Sequence, residues 1–342
     1  MRQLMNTLYV LTPDCYLSKE GERINVVRNK EELASYPANI LEQIVCFTYA
    51  SPSPKIIELC SEYGIAITIM SPNGRFISSI DGPVKGNVLL RREQFRYADN
   101  EDFCLSISKN IIWAKIYNSV SLLKRGLKDH KDTINCGIVE DSVCRLKKSL
   151  QDMDDVASMN QLRGVEGDAA KSYFLALDEL ILRNRDTFFM SDRNRRPPKD
   201  PMNSMLSFFY SVLTNEVRSS LQAAGLDPYV GFMHTDRPGR PSLALDIMEE
   251  FRSSEVDRFL LKVINLGQAG PGDFSETECG GCFLNDQGRK KLIGLWHNER
   301  RSTVMHGYIQ ERVEHGLIPH VQSILLSRYI RGELDGYPPY MV

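Results

Sequence analysis

Apolar residues follow two regimes along the chain. Through about residue 85 they come in short runs: Thr7–Leu11, Cys15–Leu17, Ile24–Val27, Ile44–Tyr49, Ile65–Met70 and Arg75–Ile80. Runs of this length, bounded by Gly, Pro and Asn, read as strands. Lys-Glu-Gly-Glu after Leu17 and Ser-Pro-Asn-Gly after Met70 are hairpin turns. One helical spacing interrupts them, Ile56, Ile57 and Cys60 within Pro54–Tyr63. From Glu101 the period changes to 3.6: Phe103, Ser106, Ile107, Ile111 and Ile112, then Val139, Val143, Leu146 and Leu150, then Met205 to Leu213. The expected fold is α+β in two domains. A mostly antiparallel β domain with one helix covers 1–85, a linker opening around Gly82-Pro-Val-Lys-Gly86-Asn87 covers 86–100, and an all-α domain covers 101–342. A length of 342 residues agrees with two domains at ~150 residues each.

The chain is 42% hydrophobic and 25% charged with a net charge of −2, so a nucleic-acid function must rest on local patches. One such patch carries Arg183, Arg185, Arg193, Arg195, Arg196 and Lys199 against Asp186 and Asp192, and Pro197-Pro198 makes it an extended loop. Loops of this kind track phosphates or are simply solvated. A second basic section, Arg289 to Arg331, suits a DNA backbone. Of eight cysteines only Cys279-Gly-Gly-Cys282 has a metal-like spacing, without a second pair nearby, so free buried thiols are expected. His297, His306, His315 and His320 are irregularly spaced and read as ordinary surface or core residues. No run approaches ~18 apolar residues and the first residues lack the pattern of a leader, which places the protein in the cytoplasm with no membrane association.

The candidate chemistry lies between Gly231 and Arg252. His234 sits in a turn with Gly231, Arg237, Pro238, Gly239 and Arg240, and Pro241 or Ser242 then opens a helix. Leu243, Ile247 and Phe251 form its apolar face, while Asp246, Glu249 and Glu250 share another with no lysine to break the run. Imidazole and carboxylates together suit Mn²⁺ or Mg²⁺; the alternative is a surface helix with solvated acids. Upstream, Glu166 stands between Gly164 and Gly167, which either permits close backbone approach or marks a helix start.

Three stretches in order, Gly164-Val-Glu-Gly-Asp-Ala-Ala-Lys-Ser-Tyr-Phe174, Arg195-Arg-Pro-Pro-Lys-Asp-Pro-Met-Asn-Ser-Met-Leu-Ser-Phe-Phe-Tyr210, and Gly231-Phe-Met-His234 with Ser242 to Arg252, resemble the CRISPR-associated integrase. This family is the universal endonuclease of the adaptation machinery, which inserts new spacers into a CRISPR array. The similarity extends over essentially the whole chain and is most like the type I-C branch. The resemblance implies Glu166, His234 and Glu249 as catalytic metal ligands for Mg²⁺ or Mn²⁺, with Asp246 behind them. It also implies DNA binding by the arginine loop and by Arg237 and Arg240, homodimerisation through the N-terminal domain, and a small ferredoxin-like partner protein. Glu250 departs from the family pattern, where many relatives carry proline. The implied reaction is transesterification, a 3′-hydroxyl attacking a phosphodiester of the repeat. A metal-dependent nuclease using water, acting on branched or single-stranded nucleic acid, shares the same residues, whereas a catalytically silent DNA-binding scaffold would need the arginine loop without the three ligands.

Overall fold

The computed structural model describes residues 7–47, 51–72, 74–82, 88–190, 192–194, 197–278 and 280–342. Arg195, Arg196, Cys279, Asn73, Tyr49, residues 83–87 and the first six residues therefore lie outside the described residues. The chain forms two units, one of residues 1–85 with 284–298 and the other of residues 86–283 with 299–342.

The first unit holds strands β1 (Thr7–Val10), β2 (Tyr16–Glu20), β3 (Arg23–Arg28), β4 (Glu31–Pro37), β5 (Gln43–Cys46), β6 (Ser51–Pro52), β7 (Ala66–Met70) and β8 (Phe76–Ile80), and helix α1 (Pro54–Tyr63). They form two four-stranded sheets, ordered β1-β5-β7-β8 and β4-β3-β2-β6. Both expected hairpins are present, as β2/β3 and β7/β8. Pairing is mixed, however: β2/β3, β3/β4 and β7/β8 are antiparallel, whereas β1/β5, β5/β7 and β2/β6 run parallel. Parallel neighbours need a crossover, and α1 supplies the one between β5 and β7. Ser53 caps it from its side chain and Pro54 opens it, and Gly64 ends it in the left-handed region at φ 71°. Strand β4 carries no apolar alternation, since it lies half-exposed at a sheet edge with its first three residues outward, and periodicity could not reveal it. Leu17, Ile24, Ile44, Ile56, Leu59 and Ile67 make the core. Arg289, on the helix Asp286–Arg300, is buried and donates to the Pro72 carbonyl at 2.6 Å within this unit.

The second unit is built on α2 (Val88–Ala98), α3 (Glu101–His130), α4 (Cys136–Asp152), α5 (Met159–Glu179), α6 (Pro201–Ala223), α7 (Ser242–Met248) and α8 (Arg258–Asn265), with a last helix at Ile318–Ile330. Asn100, Asn135, Ser158 and Asp200 cap α3, α4, α5 and α6 with their side chains. Two expectations change here. Residues 88–98, expected in the linker, form α2. The unit is also not all-α, because Thr303–Met305 and Arg312–Glu314 pair antiparallel. Leu243, Ile247 and Phe251 are fully buried, as their spacing requires; burying each is worth about 1.5–3 kcal/mol. No helix of the described residues is long and apolar enough to cross a membrane.

Candidate active site

Four elements of the second unit meet at the acidic stretch. Helix α7 gives way to a 3₁₀ turn at Glu249–Phe251 and then to a π-helical segment, Arg252–Asp257, before α8 resumes. The change of pitch re-aims successive side chains, and π segments of this kind accompany functional sites. Asp246 and Glu250 are fully buried and Glu249 is 5% exposed, so the solvated-helix reading does not hold.

Asp246 organises the histidine turn. Its Oδ2 accepts from the Phe232 and Met233 amides at 2.7 and 3.0 Å, and its Oδ1 accepts from the His234 amide at 3.0 Å. Oδ1 also lies 2.6 Å from His234 Nδ1, which leaves the imidazole Nε2 to face other partners. Gly231 is required where it stands: a Cβ there would lie 2.7 Å from Asp246 Oδ2 and 2.8 Å from the Ser242 carbonyl carbon. Gln94 of α2, fully buried, fastens the approach to this turn, donating to the Asp227 and Val230 carbonyls at 2.8 and 2.9 Å and accepting from the Asp227 amide at 2.9 Å.

Glu166 projects from the middle of α5, not from a helix start. Gly164 and Gly167 serve no close approach, since a Cβ at either meets nothing within 4 Å. Arg163 of the same helix donates to the Met233 carbonyl at 3.2 Å, which ties the Glu166 helix to the His234 turn.

Lys115 of α3 joins the two glutamates. Its ammonium touches Glu166 Oε1 and lies 2.8 Å from Glu249 Oε2. Arg252 holds the other Glu249 oxygen at 2.9 Å and packs over the Tyr210 ring at 4.5 Å. Burial would push the Glu249 carboxyl up, but Arg252, Lys115 and His234 outweigh it and hold it down at about 2. Behind this layer Tyr173 and Tyr210 donate to the two oxygens of buried Asp257, each at 2.6 Å. Burial lifts the Asp257 carboxyl to about 6 against those hydroxyls and Arg252. A small cleft of about 50 Å³ is lined by Lys115, Glu166, Ala170, Phe174, Tyr210 and Arg252 among others.

Two expected ligands, Glu166 and Glu249, thus share one cation, and the electrostatic influence of His234 reaches Glu249. Among the described residues no group of three or more His, Cys, Asp or Glu side chains is arranged to hold an ion. The donors nevertheless fit a small divalent ion. Two carboxylates already converge on one positive charge, and an oriented imidazole stands close by. Lys115 and Gln94 carry no sequence signal for this role, because each reaches the site only through helix packing. Arg252 was legible, one turn beyond Glu249 in the same acidic stretch.

The expected DNA-binding residues divide. Arg183, Lys199 and Arg237 are exposed. Arg193 turns inward, donating to the Asn194 carbonyl, Asn203 Oδ1 and Ser207 at 2.6, 2.7 and 3.2 Å. Arg185 pairs with Asp178 at 2.9 Å and Arg240 is half-buried. In the second basic section Arg300 is spent on buried Glu216 and Glu255, at 2.7 and 2.6 Å, and His315 and His306 are core residues. The described cysteines are all free.

The family described as CRISPR associated protein Cas1 matches residues 8–298. A protein of Chlorobaculum tepidum described as CRISPR-associated endonuclease Cas1 1 is 41% identical over 341 residues, which cover 100% of this chain and 99% of that protein. Two solved structures share the fold at lower identity. A casposase bound to integration product superposes with a TM-score of 0.83 at 22% identity, over 98% of this chain and 93% of that one. A Cas6-RT-Cas1–Cas2 complex gives 0.83 at 21% identity, over 99% of this chain and 36% of that one. A match across most of the chain, with a relative alike from end to end, leaves one conclusion: the chain belongs to the Cas1 family of CRISPR-associated proteins.

Proposed function

We propose that this chain is a metal-dependent DNA integrase and endonuclease that inserts new spacers into a CRISPR array. The observation carrying this reading is the convergence of Glu166 and Glu249 on one cation beside an imidazole locked by Asp246. Glu166, Glu249 and His234 Nε2 would hold Mg²⁺ or Mn²⁺, which when bound supplies Lewis-acid polarisation of a phosphodiester and stabilises its transition-state charge.

The chain's own groups then have separate tasks. Asp246 fixes the imidazole ring, and Arg252 fixes Glu249. Exposed Arg183, Lys199 and Arg237 offer charge to DNA phosphates, while Arg193 serves the fold instead. In the reaction the 3′-oxygen of an incoming DNA end forms a bond to a repeat phosphorus and loses its proton. The bond from that phosphorus to the repeat strand's 3′-oxygen breaks, and this oxygen takes up a proton. One phosphodiester replaces another, so no energy source is needed. Water in place of the hydroxyl gives the endonuclease outcome that the Chlorobaculum relative's description names. Insertion at both ends of a repeat calls for two sites, which a homodimer formed through the N-terminal unit and bridged by a small ferredoxin-like partner would provide.

The test mixes the protein and its small partner with Mn²⁺, a labelled duplex bearing 3′-hydroxyl ends and a supercoiled plasmid carrying a repeat array. Label joined to plasmid is expected, with Glu166→Ala, His234→Ala and Glu249→Ala at background and Asp246→Ala reduced by about 10–100-fold. Cleavage without joining supports the nuclease reading alone. Full activity in all three ligand variants would remove the site.

A further inference from the structure

Lys115 stands where a metal ion would be expected. Its ammonium lies between Glu166 and Glu249, and only 16% of its side chain is exposed. It lies 2.8 Å from Glu249 Oε2 and touches Glu166 Oε1, so one positive charge serves both carboxylates. Lys115 and Arg252 together balance the two glutamates, so the assembled group is neutral. Adding a divalent ion with the ammonium still in place would set like charges side by side in a largely desolvated pocket. The lysine also has somewhere to go: it lines the cleft beside the pair, and its four-carbon stem is flexible.

We propose that Lys115 is a built-in stand-in for the divalent ion, holding Glu166 and Glu249 together in the metal-free protein and swinging into the cleft when an ion binds. The inference rests on the metal-site reading above and adds to it a competitor carried by the chain itself. Metal affinity is then set partly by the lysine, because only the fraction of molecules with the ammonium displaced is competent to bind.

The test measures Mn²⁺ binding by loss of the free-ion electron paramagnetic resonance signal in the wild type, Lys115→Met and Glu166→Ala. Lys115→Met should bind Mn²⁺ about ten-fold more tightly than the wild type. Without metal it should melt at a lower temperature, because Arg252 alone then balances the two carboxylates, and Mn²⁺ should raise its melting temperature more than the wild type's. Amine acetylation of wild-type Lys115, read by mass spectrometry, provides a measurement that does not depend on the variant folding. Mg²⁺ should increase that labelling several-fold. Binding that depends on Glu166, with Lys115→Met no tighter and labelling unchanged by Mg²⁺, overturns the stand-in while leaving the metal site intact. Absence of Mn²⁺ binding in the wild type, or binding indifferent to Glu166→Ala, overturns both.

Discussion

Glu249 and Glu250 are neighbours in the chain, both buried, and they titrate in opposite directions. Burial raises each, but Glu249 faces Arg252, Lys115 and His234 and is held at about 2. Glu250 meets only neutral donors, the Tyr340 amide at 2.7 Å and Gln322 at 3.1 Å with the Tyr337 hydroxyl beside them, and burial carries it to about 8. The consequences for stability are opposite too. A depressed folded pKa gives Glu249 a contribution present above 4.5 and lost as pH falls through about 2. A raised one gives Glu250 a contribution present below 4.5 and lost as pH rises through about 8. Glu250→Gln should therefore gain on the wild type as pH is raised from about 5 to 9, by on the order of a few kcal/mol at the alkaline end. Thermal melts of the two proteins across that range check it, and parallel profiles would show that this proton is not linked to folding. Side by side in sequence the two acids look alike, and only their neighbours separate them.

Among the elements, the departure from α geometry after Met248 does most to build the site. Through the 3₁₀ turn and π segment Glu249 meets Lys115 and Asp257 meets Tyr173 and Tyr210, while Arg252 pairs back to Glu249 three residues before it. The histidine turn is held just as tightly from its other side. Gly231→Ala would push a methyl into the Asp246 carboxylate and the Ser242 backbone, neither of which has room to yield. The turn must move and take His234 with it. A shift of about 1 Å costs on the order of 100-fold in rate, so strand transfer should fall by about that factor while the circular dichroism spectrum stays helical. Activity within two-fold of wild type would show that the turn tolerates the shift. Neighbouring Gly164 and Gly167 behave differently, since a side chain at either would meet open space.

Across the molecule, the last residues form no helix or strand and yet are part of the core. Tyr337 and Tyr340 are buried at 2% and 0% exposure. Asn118 of α3 donates to the Tyr340 and Glu250 carbonyls, both at 2.9 Å, and accepts from the Val342 amide at 3.0 Å. The tail thus joins the helix of Lys115 to the turn of Glu249 from behind. Ending the chain after Gly336 should cost at least about 3–5 kcal/mol, the scale for losing one large buried aromatic, and should lower the melting temperature steeply; an unchanged melt would show that the strap is dispensable. These particulars mark how far the sequence could be read. Strand runs, the change to a helical period, the β2/β3 and β7/β8 hairpins and the apolar face of Leu243, Ile247 and Phe251 were all legible, because each reflects interactions within a few residues. Local spacing marked His234 with Asp246, Glu249 and Glu250, and Gly-flanked Glu166, as candidates, while the family resemblance chose Glu166, His234 and Glu249 among them. Parallel pairing of β1, β5 and β7, the half-exposed edge strand β4 and the helix at 88–98 were not legible, since the partners are distant in sequence or the pattern carries no period. Nor could periodicity show that Lys115 reaches Glu166 across 51 positions, that Arg193 turns inward, or that Glu250 keeps a proton its neighbour gives up. Local chemistry is written in short stretches of chain, whereas desolvation and the meeting of charges from separate helices exist only once those helices have packed.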